Sequence, residues 1–244
     1  MGELAGHDGE RNRPAARGVP FIGIAHGAGN DRVLLNRAVE GGVDYVEADL
    51  WPRGSNDVVA RHERRFPFLP LLYDKWYIKP DVRPVYLEEI VAAAAAKGVR
   101  VYADIKSGRY GFVDRVISIL RRGGAYEGAI LSGHHWFDLA RAKRELGIAA
   151  FPSIPDGTAL DRFWSFIGRR AEMFDGVAIR HWLITPRTVS RFRDLGLRVL
   201  PWTVDSHSRA HELMALGADG VISNSVDLIH EMSLAQVSAL PRAG

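Results

Sequence analysis

GVDYVEADL, residues 42–50, opens on a glycine and rises into alternating apolar and acidic side chains. The same shape returns in GVRVYADIK (98–106), GLRVLPWTVD (196–205) and GADGVISN (217–224). A glycine that stops a helix, followed by a short apolar run, is what successive strand–helix units produce. Seen this way, the chain carries candidate strands at Phe21–Ala25, Tyr45–Leu50, Val99–Ile105, Ala129–Ser132, Ala149–Ile154, Val177–Ile179, Val199–Val204 and Val221–Ser223. Helical spacing separates them, as in Leu34, Leu35, Ala38 and Val39 or Val113, Val116, Ile117 and Leu120. Eight such units predict an α/β protein of the (β/α)8 TIM barrel class, and 244 residues suit one such domain. No GxGxxG follows the first strand, which argues against a dinucleotide fold.

Residues 1–18 are polar and read as a flexible tail, leaving 19–244 for the barrel. One segment interrupts the beat. Residues 51–86 hold five prolines with Trp51, Tyr73, Trp76 and Tyr77, and Val58–Arg61 reads as a short extra strand. Loops that follow barrel strands build active sites, so this segment is expected as an insertion on the catalytic face. Its run from Phe66 to Tyr86 offers more apolar surface than a small polar substrate covers, so it reads either as a platform for an acyl chain or as a lid.

Composition narrows the function. At 47% hydrophobic and 25% charged residues the chain is neither disordered nor fibrous. Thirty-two basic and 29 acidic residues give a formal net charge of +3, and the densest basic cluster is only Arg61, Arg64 and Arg65. That is too short a stripe for a nucleic-acid partner. The absence of cysteine excludes disulfides, thiol catalysis and zinc–thiolate sites. It fits a reducing, cytoplasmic compartment while leaving secretion open. No apolar run is long enough for a transmembrane segment.

Polar residues at the C-terminal ends of barrel strands mark catalysis. Glu47 and Asp49, two apart, share one face of the second strand. Facing inward, they must share a proton or hold a cation. Asp104 on the next strand completes an oxygen-rich site suited to one divalent cation, Mg2+ or Ca2+. His26 ends the first strand and His62 follows the extra one, and histidine is the commonest acid/base near neutral pH. Trp202 reads equally as a pocket wall or as core. His134, His135, Trp136, Arg180 and His181 are candidates of second rank.

Taken in order, His26, the ExD of Glu47 and Asp49, His62 after a VV strand, the DxK of Asp104 and Lys106, the WTV of 202–204 and the closing GADGVISN resemble the glycerophosphodiester phosphodiesterase family, as a divergent member. The resemblance implies a TIM barrel that hydrolyses glycerophosphodiesters or related (lyso)phospholipids. It implies Glu47, Asp49 and Asp104 as ligands of a divalent metal, His26 and His62 as the acid/base pair, and Lys106 as a cation near the phosphate. Gly27 stands where the family usually has arginine, so Arg180, and after it Arg61, are expected to supply charge to the substrate. The related sphingomyelinase D-like enzymes, which form a cyclic phosphate, and a binding barrel without turnover remain alternatives. A sugar-phosphate isomerase barrel is disfavoured, because the segments after strands seven and eight lack glycine-rich phosphate loops.

Overall fold

The computed structural model describes residues 21–66, 68–81, 83–168 and 170–239; the predicted tail at 1–18 lies outside them. Eight parallel strands alternate with eight helices. The strands are β1 (Ile22–Ala25), β2 (Tyr45–Arg53), β3 (Arg100–Ile105), β4 (Ile130–Gly133), β5 (Ala149–Ile154), β6 (Gly176–Arg180), β7 (Arg198–Trp202) and β8 (Gly220–Ser223). The helices are α1 (Arg32–Glu40), α2 (Leu87–Lys97), α3 (Phe112–Arg122), α4 (Trp136–Leu146), α5 (Gly157–Ile167), α6 (Pro186–Asp194), α7 (His207–Leu216) and α8 (Val226–Ala239). Each strand pairs with the next from β1 to β7, and β8 pairs with β1. Backbone bonds from Asp219 N to Val199 O (2.9 Å) and from Val204 N to Ile222 O (3.0 Å) join β7 to β8. The sheet is therefore a closed barrel, as the sequence predicted.

Local chemistry sets the boundaries. Asp31, Asp156 and Thr185 cap α1, α5 and α6 by accepting backbone N–H groups, and Pro186 occupies the first turn of α6. Gly98, Gly147 and Gly217 end α2, α4 and α7 in left-handed conformations, at the returns expected from the sequence. Closure itself depends on Gly220, because a Cβ there would lie 2.0 Å from the Ile22 carbonyl oxygen of the neighbouring strand.

Alternation within the strands divides the interior in two. Side chains turned outward meet the helices: Val46, Ala48 and Leu50 of β2 face the apolar stripes of the surrounding helices, such as Ile90 and Val91 of α2. Side chains turned inward form a separate plug of Ile24, Tyr45, Tyr102, Ile130, Phe151, Leu200 and Ile222 with their neighbours. Burying one such aliphatic or aromatic side chain yields about 1.5–3 kcal/mol.

The insertion extends the sheet. Predicted to end at Leu50, β2 continues to Arg53 and turns back as an antiparallel hairpin with Asp57–Ala60. The expected extra strand is thus found one residue earlier. Past the barrel rim the strand gains a new antiparallel partner, so pairing does not stop where the barrel does. A small antiparallel sheet follows, built from Arg64–Arg65, Leu71–Tyr73 and Ile78–Pro80. Its anchor is the buried carboxylate of Asp81, with Arg65 Nε at 2.9 Å, Arg53 Nη1 at 3.3 Å and Arg61 Nη1 at 3.8 Å. A second buried acid, Glu63, accepts from Lys79 (2.5 Å) and the Tyr77 hydroxyl (2.6 Å).

Candidate active site

The inward register of the plug, continued by two residues toward the C-terminal end of each strand, places the polar side chains. Tyr45 is followed on the same face by Glu47 and Asp49, Tyr102 by Asp104 and Lys106, Ala178 by Arg180, Leu200 by Trp202, and Ile24 by His26. All of these residues except the plug members Tyr45, Ile24 and Leu200 line a cavity of about 250 Å3 at the barrel mouth, which His62 also borders. Parallel pairing sets Asp49 beside Asp104 and Arg180 beside Trp202.

The carboxylates are crowded. One oxygen of each of Glu47, Asp49 and Asp104 falls within 4.8 Å of the others. Glu47 and Asp49 are 3% and 2% exposed, so water offers them little screening. Burial, then Asp49 and Asp104, pushes the Glu47 pKa well above the usual carboxylate value. Lys106 Nζ stands 2.6 Å from both Asp49 Oδ1 and Asp104 Oδ2. Burial opposes its charge, yet Asp104, Asp49 and Glu47 outweigh burial and hold its pKa above the ordinary lysine value. One ammonium against three carboxylates leaves an excess of negative charge, and Asp104 Oδ1 is buried without a hydrogen-bond partner among the described residues. A hard divalent cation suits this donor set.

The backbone contributes as well. Gly27 N donates to Glu47 Oε2 at 2.5 Å, and Gly27 adopts φ +63°, a conformation glycine enters without penalty. Asn30 clamps Asp49 twice: Nδ2 donates to Oδ2 (2.6 Å), and Oδ1 accepts from the Asp49 backbone N–H (3.0 Å).

The two histidines flank this centre on different supports. His26 Nδ1 meets Asn224 Oδ1, and the Asn224 amide is fixed by Asp205, which accepts from Asn224 N (2.8 Å) and Nδ2 (2.7 Å). His62 Nδ1 lies 3.3 Å from Asp74 Oδ2 on the insertion. Arg180 stacks 3.9 Å over the Trp202 ring and 4.9 Å over Trp182, and forms no ion pair among the described residues. The Trp202 indole N–H is buried without a partner among the described residues. Arg61, expected after Arg180 to supply charge to the substrate, turns away from the mouth to Asp81 because alternation along its strand sets it opposite His62. Beside the mouth, a second cavity of about 480 Å3 runs between Trp51, Tyr73, Asp74 and Lys75 of the insertion and His134 and His135 after β4. His62 and Lys106 border both cavities, so the insertion walls the catalytic face.

Sequence reasoning brought together His26, Glu47, Asp49, His62, Asp104, Lys106, Arg180 and Trp202, and the structure collects all eight at one mouth. It missed Asn30, Asp74, Asp205 and Asn224, which act on other side chains rather than on the cavity. Polar residues just beyond β1, β7 and β8 were the available signal. It placed Lys106 as a cation near the phosphate, and the structure adds its pairing with Asp49 and Asp104.

Residues 162–228 match the profile of the glycerophosphoryl diester phosphodiesterase family. That span holds Arg180, Trp202 and GADGVISN, and names the same family as the motifs read from the whole sequence. Among solved structures, a protein of Silicibacter pomeroyi assigned as a glycerophosphoryl diester phosphodiesterase is 15% identical, with TM-score 0.74 over 91% of this chain and 95% of its own. An Oleispira antarctica phosphodiesterase in complex with the product sn-glycerol-3-phosphate is 17% identical, with TM-score 0.67 over 89% and 97%. A glycerophosphodiester phosphodiesterase of Thermotoga maritima is 17% identical, with TM-score 0.64 over 89% and 100%. These likenesses establish the shared barrel. No curated protein matches the sequence.

Proposed function

We propose that this chain is a metal-dependent phosphodiesterase acting on glycerophosphodiesters or related (lyso)phospholipids. The observation that carries this reading is the convergence of two histidines, three carboxylates and a lysine on one cavity at the C-terminal end of the barrel. The partial family match supports the same chemistry.

Glu47, Asp49 and Asp104 would hold the divalent cation, Mg2+ or Ca2+, which supplies Lewis-acid charge to a phosphate oxygen. Asn30 and the Gly27 amide orient two of these carboxylates. Lys106 holds Asp49 and Asp104 in register and adds positive charge beside the phosphate. His26, with Nδ1 committed to Asn224, presents Nε2 to accept the proton of the attacking oxygen. His62, oriented by Asp74, delivers a proton to the departing alkoxide. Arg180 braces the non-bridging oxygens from β6, and Trp202 walls the pocket and offers its indole N–H.

Phosphorus NMR of the products from several glycerophosphodiesters and lysophospholipids, with and without EDTA, tests this reading. Glycerol phosphate or lysophosphatidate formed only without EDTA is the expected result. A cyclic phosphate would assign the sphingomyelinase D-like route, and no turnover of any diester would leave a binding barrel.

A further inference from the structure

Among the described residues, the large apolar side chains exposed to solvent are not scattered. Phe68 (96% exposed), Trp76 (81%), Tyr77 and Ile78 project from the insertion after β2. Tyr110 stands in the segment after β3, Phe137 in the first turn of α4 and Trp182 just after β6. Val33 and Leu34 lie in the first turn of α1, and Leu69 sits beside Phe68. Apart from Leu234, every exposed large apolar side chain described lies beyond the C-terminal end of a barrel strand, on the face that carries the mouth. Single exposed apolar residues are ordinary on soluble proteins, whereas segregation to one face marks an interaction surface.

Charge follows the same face. Within the insertion most acids turn inward: Glu63 and Asp81 are buried, half-buried Asp74 faces His62, and among the described residues Asp57 alone is exposed. Against that one acid stand five exposed bases, Arg64, Arg65, Lys75, Lys79 and Arg83. Lys75 Nζ lies 4.8 Å from the Trp76 ring and Lys79 Nζ 5.7 Å from the Tyr77 ring, so cations and aromatic rings interleave. Aromatic side chains that settle at the headgroup level, flanked by bases that meet lipid phosphates, characterise surfaces that lie on anionic membranes. A second copy of this chain would set these bases against their equals, a repulsive pairing.

We propose that the catalytic face docks on an anionic lipid–water interface, with Phe68, Trp76, Tyr77 and Ile78 entering the headgroup region and Lys75 and Lys79 facing the lipid phosphates. The insertion then sits in the membrane surface while the cavity it walls opens onto the same plane. Delivery of a lipid phosphodiester to that opening rests on the phosphodiesterase reading; the docking does not.

Sedimentation with phosphatidylglycerol-containing and pure phosphatidylcholine vesicles reads the docking without turnover. The expected result is at least ~10-fold tighter binding to the anionic vesicles, weakened by salt because surface charge is screened within about 8 Å at physiological ionic strength. The doubly substituted Phe68→Ser, Trp76→Ser protein should lose at least ~10-fold in vesicle affinity while its circular dichroism and its hydrolysis of a short water-soluble diester stay unchanged. Equal binding to both vesicle types, no binding to either, or unaltered binding by the double variant would overturn the proposal. So would concentration-dependent self-association abolished by the same substitutions, which would make a second copy the occupant. Docking retained without hydrolysis of any diester would instead remove only the catalytic reading.

Discussion

His26 Nδ1 stands 2.9 Å from Asn224 Oδ1. Asp205 accepts from both the backbone and side-chain amides of Asn224, which turns the Asn224 carbonyl oxygen to the imidazole. Facing an acceptor, Nδ1 must carry the proton, and Nε2 is left with its lone pair. His26→Ala should therefore cost at least ~100-fold in kcat/KM, the usual scale for a positioned base. Asn224→Leu should cost less and leave the site assembled. Nitrogen NMR of the His26 ring should then show loss of the Nδ1–H tautomer preference, and an unchanged spectrum would show that Asn224 does not set it.

The acidic cluster predicts that the protein's stability depends on divalent cations. A divalent ion at about 100 times its Kd should stabilise the fold by about 2.7 kcal/mol. Thermal unfolding with and without added Mg2+ or Ca2+ measures this. Asp104→Asn, which neutralises the carboxylate whose Oδ1 has no partner, should abolish the increment. A variant that keeps the full increment would place the cation elsewhere.

Arg180 and Trp202 sit side by side across β6 and β7, and their stacking holds the guanidinium at the mouth without an acid partner among the described residues. Loss of a charge-assisted hydrogen bond costs about 1.5–3 kcal/mol. Arg180→Ala should accordingly raise KM by about 10- to 100-fold while cation affinity, read by calorimetry, stays constant. An unaltered KM would remove Arg180 from the substrate site.

The fold was legible because its repeating unit is short and written in strand alternation. Once Tyr45 and Tyr102 are known to face inward, Glu47, Asp49, Asp104 and Lys106 must follow. The same regularity separated Arg61 from His62. Alternation says nothing of segments beyond the barrel rim. The continuation of β2 to Arg53, the Asp81 anchor and the Asp74–His62 contact all depend on a chain reversal that brings His62 and Asp74 beside the mouth. Asn30 and Asn224 were equally opaque, since a polar residue after a strand signals neither which carboxylate nor which imidazole it will meet.

Tyr77 supplies a pH test of the insertion. Its hydrogen bond to Glu63, with burial adding to it, raises the phenol pKa to about 12, above the unperturbed value near 10. Because the folded value is the higher one, the neutral phenol stabilises the insertion below pH ~10, and that contribution disappears as pH climbs toward about 12. Burial pushes Glu63 up, but Lys79 and Tyr77 outweigh it and hold its pKa below the usual range, so its contribution is lost on acidification. Burial also raises Tyr45 and Tyr102, so spectrophotometric titration should show several late-ionising tyrosines, fewer by one in Tyr77→Phe. An unchanged titration curve in that variant would dismiss the contact.

Substrate size gives the last expectation. An acyl chain covering about 100 Å2 of the insertion's apolar surface would gain about 2.5 kcal/mol before ordering costs. Lysophospholipids should then outcompete short water-soluble diesters in a mixed assay. Equal or better specificity constants for the short diesters would assign the insertion no part in substrate choice.

From Tyr45 to Arg53 a single unbroken strand bears Glu47 and Asp49 inside the barrel and ends in the hairpin outside it. No slack joint separates the two halves, so the strand works as a lever with its fulcrum at the barrel rim. Any load that a bound surface places on the hairpin reaches the two carboxylates through extended, hydrogen-bonded chain. Thermodynamic reciprocity then fixes the relation between the two events: the factor by which docking alters cation affinity must equal the factor by which the cation alters docking.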